Sequence, residues 1–204
     1  MKKILALSVV AMALVGCQST QQESKPVVEK SPAYLECNFG GEYYEVAAPK
    51  WKCEPNTNRE MYAKQASGSS ANKSGGVAHQ RQLAILDANR TLAGQFKTDV
   101  IATIKSSSGT LGIDGAAGGA GATKDVSEAL VNFELKGTEI IRTMTGPNGH
   151  VYVHVGMPRA ALQQNIDLAL EVVQEKAPNS LPTNVTPAQN KQLSDDIAKA
   201  LEGM

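Results

Sequence analysis

Apolar residues recur at three- and four-residue steps over 77–98, where Ala78, Ile85, Ala88, Leu92 and Phe96 share one side of a 3.6-residue period without an intervening proline. The pattern predicts a long amphipathic helix. Val100, Ile101 and Ile104 follow as a short β-branched run and predict a strand over 100–105. Residues 106–122 then read Ser-Ser-Ser-Gly and Gly-Ala-Ala-Gly-Gly-Ala-Gly, a composition whose backbone entropy predicts a flexible loop. Asp125 and Glu128 have the spacing of a capping box, and Val126, Ala129, Leu130 and Phe133 predict a second, shorter helix.

Two further runs, 138–145 and 150–157, flank Gly146-Pro147-Asn148-Gly149, which has the length and composition of a hairpin turn. Val151, Val153 and Val155 alternate with Tyr152 and His154, so one face of this strand is expected buried and the other partly wet. Pro158 suits the first turn of a third helix, whose stripe is Leu162, Ile166, Ala169, Leu170 and Val173 and which ends before Pro178. Thr186-Pro187-Ala188-Gln189 supplies a cap, a first-turn proline and a capping partner for a last helix carrying Leu193, Ile197 and Leu201. No internal repeat is visible.

The front of the chain has a different texture. Residues 18–31 are rich in Ser, Gln, Lys and Glu and bury too little apolar surface to order themselves, which reads as a tether. Tyr34, Phe39, Tyr43, Tyr44 and Trp51 crowd the next stretch, broken by Gly40-Gly41 and Pro49; this predicts stapled short strands or an irregular cap, with the aromatics as filling rather than a ligand platform. Residues 67–76, mostly Ser, Gly, Asn and Lys, read as a mobile linker. The expected division is therefore 1–16 signal peptide, 17–31 tether, 32–66 cap, 67–76 linker, 77–177 core domain and 178–204 linker and short helix. The expected fold class is α+β: a small sheet of short strands packed against helices, with a disulfide-stapled N-terminal cap.

Lys2 and Lys3 precede an apolar run, Ile4 to Leu14, too short to span a bilayer as a mature helix, and Leu14-Val15-Gly16-Cys17 closes it as a bacterial lipobox. An ordinary signal peptide with an incidental cysteine is the competing reading. On the lipobox reading the mature chain begins at a lipidated Cys17, and each buried acyl methylene contributes about 0.8 kcal/mol to membrane anchoring. Gln18 stands where enteric-type bacteria place the Asp that retains lipoproteins at the inner membrane. In a diderm host this implies the outer membrane, on its periplasmic or surface face.

Loss of the two lysines with the signal peptide leaves 18 basic residues (20 − 2) against 20 acidic ones. That near-neutral balance supports neither nucleic-acid binding nor electrostatic adhesion to anionic lipid, so the acyl groups carry the attachment. With Cys17 lipidated, Cys37 and Cys53 are an even pair in an oxidising envelope and read as a disulfide; a reactive thiol or a zinc site lacks a C-x-x-C motif or a neighbouring histidine.

No catalytic motif is complete in the sequence. Residues 115–124 resemble a phosphate loop only in glycine content, since Thr123 precedes Lys124 where the motif needs Gly-Lys-Ser/Thr. His150 and His154 lie on one predicted strand roughly 13 Å apart, too far for one metal ion, and His79 sits at the start of the first helix. Asp87, Glu139 and Glu171 read as solvated positions. No catalytic residue, metal site or cofactor is expected.

The segment Ala84-Ile85-Leu86-Asp87-Ala88-Asn89-Arg90-Thr91-Leu92-Ala93, with Gly149-His150-Val151-Tyr152-Val153-His154-Val155-Gly156-Met157 farther on, resembles the LPP-twenty family of small bacterial lipoproteins. That family includes the outer-membrane lipoprotein needed for flagellar motility in sheathed-flagellum bacteria. The resemblance spans roughly 77–173, omits the cysteine-stapled cap, and implies a compact α/β domain without catalytic residues. The functional expectation is an outer-membrane lipoprotein acting in cell-envelope or flagellar assembly through protein contacts, self-association among them. A periplasmic regulatory or ligand-binding lipoprotein, contacting for example a cell-wall synthase, is the alternative. Leu193, Ile197 and Leu201 are the expected partner-binding residues, on the view that the terminal helix carries apolar surface beyond one core.

Overall fold

A computed structural model describes residues 32–71, 75–110, 120–181 and 187–202. The fold is helical with one small sheet. In chain order come α1 (Ala33–Glu36), a 3-10 turn at Gly41–Tyr43, α2 (Lys50–Cys53), β1 (Tyr62–Ser70), α3 (Gly76–Thr110), α4 (Ala120–Ala129), β2 (Glu139–Thr145), β3 (Val151–Pro158), α5 (Arg159–Lys176) and α6 (Pro187–Glu202). The strands lie in the order β1-β3-β2, antiparallel throughout, with β3 in the centre. The expected α+β class with its stapled cap is the architecture found.

α3 is the spine of the helical layer. Ala84, Ala88, Leu92, Phe96, Val100 and Ile104 are buried at every fourth position, a stripe that winds around the helix because four residues overshoot one turn, so α3 packs on β1 and β3 and also on α4 and α6. The strand expected over 100–105 is therefore helix. Val100 and Ile104 extend a stripe already set by four earlier residues, and that packing outweighs the modest helix penalty of β-branching. Helix α3 runs on to Thr110 and α4 begins at Ala120, so part of the expected loop at 106–122 is helical and 111–119 lies outside the described residues. Asp125 then falls inside α4 and caps nothing. Val126, Ala129 and Leu130 are buried as expected, while Phe133 lies past the helix and stacks on Phe96 at 5.7 Å between centroids.

The expected linker at 67–76 is corrected as well. Residues 67–70 are the second half of β1, paired with His154, Val153, Tyr152 and Val151 of β3, and only 72–74 lie outside the described residues. Small residues here serve close packing rather than mobility. A Cβ built on Gly68 would stand 2.6 Å from the Ala84 carbonyl oxygen and closer still to the Ala88 amide nitrogen. Lys64, on the same face of β1, forms an ion pair with Asp99 of α3. Cap, sheet and helices consequently belong to one unit beginning at Pro32, not to a cap and a core joined by a linker.

β3 is buried on both faces, where one wet face was expected. Val151, Val153, Val155 and Met157 meet the helices. Tyr152 and His154 project the other way, beneath the cap: Trp51 stacks on His154 at 5.4 Å with ring planes 8° apart, and Phe39 tilts onto Tyr152 at 5.5 Å. The cap is irregular, its strand-like content limited to one bridge, Asn38 to Ala47. Cys37 and Cys53 are joined in a disulfide with their Cα atoms 5.9 Å apart. A loop of this length is stabilised by about 3 kcal/mol in the chain-entropy treatment.

The 146–149 turn closes β2 onto β3 as expected, with Gly146 N–H donating to the His150 carbonyl (2.9 Å) and Gly149 N–H to the Gly146 carbonyl (3.0 Å). Gly149 takes φ +71°, the left-handed value that such a turn requires of glycine. α5 buries Leu162, Ile166, Ala169 and Val173, and between them Asn165. Its amide is fully engaged: Nδ2 donates to the Lys136 and Ala161 carbonyls, and Oδ1 accepts from Lys136 N–H at 2.8 Å.

Candidate functional site

A groove of about 650 Å³ opens where four segments of the chain converge. The cap supplies one wall with Phe39 to Tyr43 and Lys52. The hairpin supplies the other through Asn148, His150 and Tyr152. Ser67, Gly68 and Ser69 of β1 form the floor, and Asp87 of α3 closes one end.

The floor is an edge strand, and side chains manage its outward donors. Asp87 Oδ2 accepts from Ser69 N–H at 2.9 Å and Asn56 Oδ1 accepts from Gln65 N–H at 3.2 Å, which blunts the edge against pairing with another strand. Ser67 Oγ donates to the Lys52 carbonyl at 2.8 Å and fastens the cap to β1. Lys52 Nζ donates to the Asn38 carbonyl at 2.9 Å and lies 5.4 Å from the Tyr152 ring centroid, so its charge is held over an aromatic face. Asn148 Nδ2 donates to the Tyr152 hydroxyl at 2.9 Å, while its Oδ1 accepts from His150 N–H at 3.1 Å. The rim thus offers the carboxylates of Glu42 and Asp87, the imidazole of His150 and the ring of Tyr43 around a rigid floor. Convergent polar groups beside aromatic rings are suited to recognition.

His154 lies next to this groove, fully buried. Its Nε2 meets the Pro55 carbonyl at 2.8 Å; a carbonyl only accepts, so Nε2 carries the proton and Nδ1 is buried without a partner among the described residues. Burial holds the imidazole below its ordinary pKa of 6.5, the Arg142 charge acts in the same sense, and the Pro55 hydrogen bond opposes both. The unfolded chain consequently binds a proton at a pH where the folded chain does not. The stability this contributes is present above pH 6.5 and declines as pH falls from there toward the folded value. Urea midpoints measured from pH 7.5 to 5 are expected to fall with acidification, and to fall less in His154→Gln. An equal decline in the two proteins would exclude His154 as the cause.

The residues singled out from the sequence fall into different places. Cys17 lies outside the described residues. Cys37 and Cys53 are bonded. Leu193, Ile197 and Leu201 are buried in the core, against α3 and α5, and so are not a docking surface. The apolar stripe expected as surplus surface is taken up inside the molecule, where α6 packs on α3 and α5 and joins the common core. Asp87 is exposed but structural, as the partner of Ser69, and Glu139 accepts from the Tyr62 hydroxyl at 3.3 Å. His79 stands exposed at the start of α3, apart from both other histidines, and among the described residues no three His, Cys, Asp or Glu side chains gather as metal ligands. Among the described residues no helix is long and apolar enough to cross a membrane.

The groove has no local signature in the sequence. Its one advance signal was the crowding of Tyr34 to Trp51, and what that crowding packs against, Tyr152 and His154, lies about a hundred residues away. No family model, no curated protein and no solved structure matches the chain.

Proposed function

We propose that this chain is an outer-membrane lipoprotein, anchored through acyl chains on Cys17 and acting without catalysis in cell-envelope or flagellar assembly by contact with other proteins. The observation that carries the reading is the lipobox Leu14-Val15-Gly16-Cys17, with Gln18 following and a polar stretch to residue 31 before the folded unit. The disulfide of the cap fits a protein exported to an oxidising compartment. The likeness of 84–93 and 149–157 to the LPP-twenty lipoproteins adds the assembly role.

The test is Cys17→Ser. The variant is expected to fold and to appear as uncleaved precursor or as soluble protein, with no acyl mass on the mature N-terminus. Processing as before, with full recovery in outer-membrane fractions, would overturn the anchor.

The groove favours a second reading, a regulatory or ligand-binding lipoprotein that reaches a periplasmic partner such as a cell-wall synthase. Its rim presents charge and aromatic surface from the cap, the hairpin and α3, and the disulfide and the Lys52 hydrogen bond hold the cap wall in place. A photo-crosslinking residue at the exposed Ser69 separates the two: capture of an assembly protein supports the first, and capture of a synthase the second.

A further inference from the structure

β2 forms the sheet edge opposite β1, and none of its seven residues is buried. α3 packs on β1 and β3, while β2 packs on β3. Ile140, on the helix side of the sheet, is left 44% exposed, and two other exposed apolar residues, Leu86 and Val131, line a cavity with Thr138 at the start of the strand. A strand paired on one side only presents backbone donors and acceptors to any chain that can align with it.

The charges on this edge select the chain. Glu139 registers with Gly156 and Arg142 with His154, alternate residues of β3, so both project from the cap-side face. The register shift between Ile140 and Arg142 takes Ile141 out of the alternation and leaves Ile140 as the position between the two charges. Arg142 forms no ion pair among the described residues. We propose that β2 pairs with β2 of a second copy of this chain, antiparallel about a two-fold axis at Ile140.

That arrangement sets Glu139 of each copy opposite Arg142 of the other and buries Ile140 against Ile140. Both contacts are isologous, as two-fold symmetry requires. Moving the axis to Arg142 would oppose the two guanidinium groups, so charge fixes the register as well as the partner. The result is one six-stranded sheet in the order β1-β3-β2-β2-β3-β1, with both grooves at its outer ends.

The experiment uses the full-length lipidated protein, in detergent and in its own membranes. Paired Cα atoms in an antiparallel ladder stand about 4.5 to 5.5 Å apart, within disulfide reach. Ile140→Cys is expected to give a reduction-sensitive dimer, with mass spectrometry showing residue 140 joined to 140, and Thr145→Cys to remain monomeric. In the Ile140→Cys background, Arg142→Glu should lower the dimer yield about tenfold by turning both ion pairs repulsive, and the exchange Glu139→Arg with Arg142→Glu should restore it. Ile140 and Arg142 are not buried, so loss of the fold does not obscure these readings. A monomeric Ile140→Cys protein, an undiminished yield in Arg142→Glu, or a ladder of species beyond the dimer would each overturn the two-fold pairing.

Discussion

Gly68→Ala is expected to destabilise the domain by about 3 kcal/mol, at the upper end of the range for added volume in a well-packed interior. The added methyl would meet backbone, the Ala84 carbonyl and the Ala88 amide, and backbone cannot rotate aside as a side chain can. Relief requires α3 to move away from β1. That in turn loosens Ala66, Leu92 and Phe96, and it strains the ion pair between Lys64 and Asp99. Gly94→Ala supplies a control of opposite sign, because no atom lies within 4 Å of its added Cβ and the helix gains up to about 1 kcal/mol of propensity. Urea denaturation of the two variants measures both. A Gly68→Ala midpoint within error of the parent would mean that α3 and β1 do not approach as described.

The same glycine shows where the sequence could be read and where it could not. Local periodicity identified α3, the 146–149 turn, the β2–β3 hairpin and α5, because each is specified by a few residues close together in the chain. Ser67-Gly68-Ser69-Ser70 has no such signal: it is a strand because β3 offers partners some eighty residues later and because small side chains let α3 come near. Val100 and Ile104 failed for the converse reason, their β-branched character read alone and not as the continuation of a four-residue stripe. The second buried face of β3 required knowing that Trp51 returns to stack on His154. The groove depends on the same return. Cys37 and Cys53 were legible because, with Cys17 assigned to the lipobox, two cysteines leave one pairing, whereas the contacts that their bond fixes in place are set by tertiary packing alone.

Ile197→Asp is expected to have the largest effect of any single change on the terminal helix, about 4 to 5 kcal/mol. Ile197 is fully buried between Leu193 and Leu201 on one stripe of α6, packed into the common core. The substitution removes a core side chain and puts a carboxylate into a cluster of apolar residues. The neighbouring polar cluster does not help, since Ser194 and Gln163 already bond to Asp167, an anion that would repel a second one. Gln192→Asp, on the exposed face of the same helix, is expected to stay within about 0.5 kcal/mol of the parent. The pair decides what α6 is for. If the helix completes the core, Ile197→Asp shifts the urea midpoint far below that of Gln192→Asp; if its stripe docks on a partner, both variants unfold with the parent and only the complex in cells is lost. The burial of Leu193, Ile197 and Leu201 leads us to expect the first result.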